Sequence, residues 1–220
     1  AQSGNTGGLT WAEIEGGVTS DAQNNTVAGT NAGNSFDGTN VLGSTLIGYD
    51  AGTAITTGDY NVALGAWALD ATVGTSALGA NTEGTNNIGI GADALAACTT
   101  ASYNVAVGRD ALKLNTTGNS NVAIGFNTLD ALTTGTKNTA VGSKALSSAT
   151  TSSLNTAFGY LALFVHQTGE KNVAIGPYAL SASTTSTNNT AVGYAALNTY
   201  TTGSNCIAVG KIALKNATTG

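Results

Sequence analysis

The chain has 220 residues, of which thirty are glycine and one is proline; only 9% are charged, and the formal net charge is −5. So little charge and proline argues against a disordered tail, and so much glycine argues against a helical bundle. Neither sign of charge forms a block, which leaves no basic stripe for nucleic acid and no polybasic or amphipathic segment for a membrane surface. No apolar run approaches the ~18 residues of a membrane span, and AQSGNTGG at the start has no signal-peptide layout. The chain contains no methionine, so its natural start is expected to have been removed or to lie upstream.

In chain order, residues 1 to 40 read as an irregular lead or connector segment containing Trp11, and residues 41 to 220 as one repeat domain. Within the repeats a glycine closes a short apolar phrase at Gly48 and Gly65, the count stutters through Gly79, and it then runs at intervals of seventeen from Gly91 to Gly210. A fixed period of this size is the mark of a solenoid, one supersecondary unit stacked on the next.

Four residues before the glycine stands asparagine, from Asn61 through Asn87, Asn104, Asn121, Asn138, Asn155 and Asn172 to Asn189, with Cys206 in that place in the last coil. The next three positions read β-branched, small, apolar, as in Val122, Ala123 and Ile124. Such alternation is a strand. Its second face carries alanine where a half-wet strand would carry polar groups, so the strand is expected to be buried on both faces. The expectation is that the Val and Ile side fills the roll. Ala106, Ala123, Ala140, Ala157, Ala174, Ala191 and Ala208 would then lie against another copy of the chain, as its trimer interface.

Four residues after the glycine comes an unbroken leucine column, Leu69, Leu95, Leu112, Leu129, Leu146, Leu163, Leu180, Leu197 and Leu214. It reads as a second short strand that closes the roll over the Val and Ile side. Glycine, Asn and the polar TTG or TTS phrases mark corners, and stacked asparagines are expected to form an amide ladder along the rod. Glycine and threonine in every coil would cost a helix roughly 0.5 to 1 kcal/mol per site. Pro177, just past a closing glycine, stands where a β-solenoid tolerates it. Eleven coils from Gly48 to Gly210 would give a rod about 50 Å long. Cys98 and Cys206 would sit roughly 30 Å apart, too far for a disulfide, and with His166 they make no zinc or redox spacing.

The NVAIG phrase with its closing glycine resembles the repeats of trimeric autotransporter adhesin heads, the YadA-like left-handed β-roll. The longer phrase NTAVGYAALNTYTTGSN, residues 189 to 205, is similar to repeats of bacteriophage tail fibre proteins, and GLTWAEIEGG, residues 8 to 17, to short segments of such fibres. The resemblance covers about residues 41 to 220. It implies an all-β parallel solenoid assembled as a homotrimer, with inner strands around a threefold axis. The coil is longer than that of the adhesins, which favours the fibre: a virion tail fibre shaft meeting the host surface. The alternative is the head of an adhesin on a bacterial cell surface.

Function is expected in the two columns after the glycine, where residue type varies as at a solvent-facing corner. Six of the thirteen aromatics fall there: Tyr49, Trp67, Phe126, Tyr160, Tyr178 and Tyr194. Aromatic faces beside Asn and Asp suit stacking on the sugars of a surface glycan, and a trimer would present each patch three times; the alternative is that the rings shield neighbouring coils or an adjacent subunit. No catalytic group is expected, and no metal or cofactor. His166 falls in the loop column without a recurring acid or nucleophile, and Asp93 and Asp110, one coil apart, are separated by Arg109, which points to a surface ion pair rather than paired carboxylates. Threonine pairs followed by glycine read as turns rather than as a flat ice-binding array, and the Gly and Asp nonapeptide of calcium-binding rolls is absent from the sequence.

Overall fold

The computed structural model describes residues 19–20, 23–33, 41–49, 51–52, 55, 57–65 and 83–217. Twelve short strands form one sheet in sequence order: β1 (Thr19–Ser20), β2 (Thr26–Ala28), β3 (Thr45–Ile47), β4 (Val62–Leu64), β5 (Ile88–Ile90), β6 (Val105–Val107), β7 (Val122–Ile124), β8 (Thr139–Val141), β9 (Thr156–Phe158), β10 (Val173–Ile175), β11 (Thr190–Val192) and β12 (Ile207–Val209). The β1–β2 pair is antiparallel and every later pair is parallel, with Val122 opposite Thr139 and Ala123 opposite Ala140 in the repeating register. From β2 onward each strand is one rung of a parallel β-solenoid, in which about nine coils keep the seventeen-residue spacing. The bonds of a rung run to both neighbours: the Val122 N–H donates to the Asn138 carbonyl at 2.8 Å and the Gly125 N–H to the Val107 carbonyl at 2.8 Å.

Two boundaries differ from the sequence expectation. The stack starts upstream of residue 41, since β2 pairs in register with β3, and Asn25 bonds Val41 and Ser44 as later asparagines bond their neighbours. Between Gly65 and Gly91 there is one long step rather than two: β4 pairs directly with β5, and the asparagines of those rungs are 26 residues apart. Ten rungs, β3 to β12, therefore span the interval expected to hold eleven. Gly79 and Leu69 lie outside the described residues.

The alternation within each strand is as expected, but the faces are reversed. Ala106, Ala123, Ala140, Ala157, Ala174 and Ala191 are fully buried and Ala208 is 3% exposed, all within one protomer. They are core residues, packed with the leucine column, and not a trimer interface. Val and Ile point outward: Ile124, Ile175 and Phe158 are 39%, 40% and 56% exposed. The reason is space. The leucine and the buried residue three places after it occupy most of so narrow a cross-section, which leaves room for little more than a methyl group on the inward side of the strand at native packing density.

That leucine does not lie on a strand. Leu112, Leu129, Leu146 and Leu163 have φ between 51° and 53°, in the left-handed region, as do the residues two after the glycine, such as Asp110, Asn127 and Tyr178. The arc bends twice, and its N–H groups alternate in direction: Asn127 donates back to Arg109 at 3.0 Å and Leu129 forward to Ala145 at 3.1 Å. A left-handed L-residue costs about 1–2 kcal/mol, and burying a leucine stabilises by about 1.5–3 kcal/mol. Packing therefore offsets the conformational cost, which glycine at that place would not do.

The asparagine ladder is formed, and its main partner is backbone. Asn138 illustrates it: Nδ2 donates to Ser152 O at 2.8 Å and to Asn121 Oδ1 at 3.1 Å, while Oδ1 accepts the Asn155 N–H at 3.1 Å. Each asparagine thus clamps the corner of the next coil at two backbone groups. A second ladder runs along the threonine corner, where Thr116 Oγ1 donates to Thr133 O at 3.0 Å and Thr133 Oγ1 to Thr150 O at 2.9 Å. Among the described residues no helix is long and apolar enough to cross a membrane.

Candidate attachment surface

Beyond each closing glycine the chain turns outward, and the bonds of that corner stack it coil on coil. Lys144 donates its N–H to Phe126 O, Leu161 to Ser143 O, Tyr178 to Tyr160 O, Ala195 to Pro177 O and Ile212 to Tyr194 O, at 2.8 to 3.2 Å. Side chains at these two columns consequently form a row along the rod. The row brings three of the six expected aromatics together. Tyr160 and Tyr178 pack edge to face with ring centroids 5.4 Å apart, and Tyr178 and Tyr194 likewise at 5.9 Å. Tyr178 is half-buried between rings that are 46% and 48% exposed. Loss of water around it raises the Tyr178 phenol above its ordinary pKa, as do its tyrosine neighbours.

Phe126 and Tyr49 are also exposed, at 45% and 49%, but stand on separate coils of the same corner; Trp67 lies outside the described residues. Tyr60 and Tyr103, 56% and 63% exposed, were missed by the sequence reading. They occupy the left-handed position just before the asparagine, a column as variable as the one after the glycine, and that variability was the available signal.

The charged groups of the corner form an ion-pair cluster. Lys113 Nζ lies 2.8 Å from Asp110 and 3.2 Å from Asp93, and Arg109 Nε 3.1 Å from Asp110. The expected Arg109 pair is present, with Lys113 as the bridge that the sequence reading lacked. Its hydrogen bond to Asp110 raises the Lys113 pKa. On the next coil Asp130 accepts from Asn127 Nδ2 at 3.2 Å, and burial pushes its carboxyl above the usual range. Lys113 thus stands between the carboxylates of Asp93 and Asp110.

His166 lies on the loop segment between β9 and β10, as expected, but its side chain points into the core and is fully buried. Its Nδ1 faces Ser183 Oγ at 3.1 Å and its Nε2 the Gly169 carbonyl at 2.8 Å, and Ser183 Oγ bonds Ser186 Oγ in turn. Burial holds the imidazole pKa below its ordinary value. The same interior column holds Cys98, Asn115, Leu132, Ala149, Ser183 and Tyr200, all buried. Burial pushes the Cys98 thiol up to about 12. Both cysteines are free, as expected.

This column varies because the residue three places on compensates for it. Large Asn115, Leu132, His166 and Tyr200 are followed by Gly118, Gly135, Gly169 and Gly203, whereas small Cys98, Ala149 and Ser183 are followed by Ala101, Ser152 and Ser186. A Cβ at Gly135 would meet the Ser152 carbonyl of the next coil and then Leu132 Cδ1 at 2.7 Å, and one at Gly169 would meet the Ser186 carbonyl and then His166 Cε1 at 2.5 Å. The anticorrelated sizes were readable in the sequence and would have placed His166 inside.

Among the described residues no group of three or more His, Cys, Asp or Glu is arranged to hold a metal ion. No family model matches the chain, and comparison with curated proteins and with solved structures returns no match.

Proposed function

We propose that the chain is a non-enzymatic fibre shaft, a left-handed roll assembled as a homotrimer in the manner of bacteriophage tail fibres, that contacts host-surface glycan through its aromatic corner. The observation that carries this reading is the outward side of the sheet. Of the twenty outward positions of β3 to β12, sixteen are apolar and four are threonine, with no charge among them. An apolar strip that long on a single rod calls for cover. A sister chain supplies it with matching pitch, because its own strip repeats at the same rung spacing of ~4.8 Å. The expected partner is thus retained, and the contact moves from the alanines to Val62, Val105, Ile124, Phe158, Ile175 and their column mates.

The attachment half of the reading rests on Tyr160 and Tyr194, whose exposed rings, held in place by half-buried Tyr178 between them, offer apolar surface and phenol hydroxyls at one corner of each chain. Binding of the intact assembly to an array of bacterial surface polysaccharides tests it. Positive spots that disappear with Tyr160→Ala and Tyr194→Ala are expected. Unchanged binding of those variants would leave the rod a spacer only.

A further inference from the structure

Charge is distributed unevenly along the rod. Residues 1 to 130 hold eleven of the twelve acidic side chains and two of the seven basic ones; residues 131 to 220 hold one acidic and five basic. Among the described residues the bias persists, with five acidic and two basic side chains up to residue 130 against one acidic and five basic beyond it, and stacking in sequence order turns it into a spatial gradient. The tyrosine row lies in the basic part. Lys144 precedes it by one coil, in the same column as Tyr178, and Lys211 follows it by one coil, in the same column as Tyr160 and Tyr194. Glu170, the one side-chain carboxylate beyond residue 130, stands next to Lys171 at a different corner, eleven residues after the closing glycine rather than one or two past it. Asp130 belongs to the coil before Lys144, and burial disfavours its charged form.

We propose that this corner selects an acidic polysaccharide, one carrying carboxylate or phosphate on its sugars, laid along the rod axis. This rests on the attachment reading above and names its ligand class. Tyr160, Pro177, Tyr178 and Tyr194 receive the apolar faces of successive sugars, and Lys144 and Lys211, four rungs or roughly 19 Å apart, meet the acidic groups at either end. The corner of the coils from Gly91 to Gly125 could not serve: there Asp93 and Asp110 already hold Lys113, and a second anion would be repelled.

The test uses the whole folded protein and two probes, oligogalacturonate and a neutral β-glucan oligomer of equal length, by calorimetry at low and at physiological salt. Oligogalacturonate is expected to bind at least tenfold more tightly. Lys144→Ala with Lys211→Ala is expected to abolish that preference, leaving the neutral glucan unchanged, and Lys137→Ala with Lys171→Ala, at the other corner, to leave it intact. Equal or better binding of the neutral probe overturns the acidic selection while leaving glycan attachment standing. An equal loss with Lys137→Ala and Lys171→Ala overturns the site in favour of diffuse attraction. Failure of both probes, with array binding insensitive to Tyr160→Ala, overturns this inference and the glycan reading together.

Discussion

Asn138→Ala removes one clamp from the middle of the stack. The side chain is fully buried, and its loss orphans two backbone groups of the next corner, the Ser152 carbonyl and the Asn155 N–H, each of which has Asn138 as its bonded partner. The Asn138 N–H itself keeps Asn121 Oδ1 at 3.0 Å, so the damage runs in one direction along the rod. An unsatisfied buried polar group costs about 1–3 kcal/mol, so the pair should cost about 4 kcal/mol. Because each coil contacts only its neighbours, the loss falls on one interface of the solenoid. Urea denaturation should show the lower stability, and amide hydrogen exchange should show the Asn155 N–H opening well before that of Asn121. Thr134→Ala, at an exposed corner, should change stability by less than about 0.5 kcal/mol. If Asn138→Ala unfolds within about 1 kcal/mol of the parent and the Asn155 amide stays protected, the clamp does not hold the coils together.

Three further outcomes follow from the core. His166 is buried with its pKa lowered, so below about pH 6.5 the unfolded chain takes up a proton that the folded chain refuses. The stability tied to neutral His166 is complete above that pH and declines as pH falls toward the lowered folded value. His166→Leu, which copies Leu132 over Gly135, should flatten that decline in melts run between pH 7 and 5. Native protein should react with one thiol reagent per chain, at half-exposed Cys206, and with two in denaturant, since Cys98 is buried with its thiol raised to about 12; two fast native thiols would contradict the core assignment. Gly135→Ser should cost about 1–3 kcal/mol by crowding both Leu132 and the Ser152 carbonyl of the next coil, and Leu132→Ala added to it should cost less than the sum of the two single changes, because it removes the side-chain part of the clash and the double variant reproduces Ala149 with Ser152. Strict additivity in that cycle would remove the compensation argument.

Much of the fold was legible in the sequence because a stacked coil repeats each requirement. The asparagine needs a corner to clamp, so its column marks the rung; the strand needs alternation, so Val122, Ala123 and Ile124 declare it. What alternation cannot tell is which side faces in, because a strand that is apolar on both sides reads alike either way. The volume of Leu129 decides that, and volume belongs to the closed cross-section. The left-handed leucines were unreadable for a related reason: propensity disfavours φ near 50° for leucine, and tertiary packing overrides it. Of the site, the exposed corner and its aromatics could be read from column variability. The packing of Tyr178 between Tyr160 and Tyr194 could not, because these rings come from two different columns and meet only after the coils stack.

Sedimentation equilibrium of the intact chain from micromolar down to nanomolar concentration bears most directly on how the outward sheet face is covered. Three chains of 21.6 kDa should travel together across that range, and Ile124→Asp with Ile175→Asp should release folded single chains. A parent protein that sediments as one folded chain throughout, with β7 and β10 open to solvent, would contradict the account.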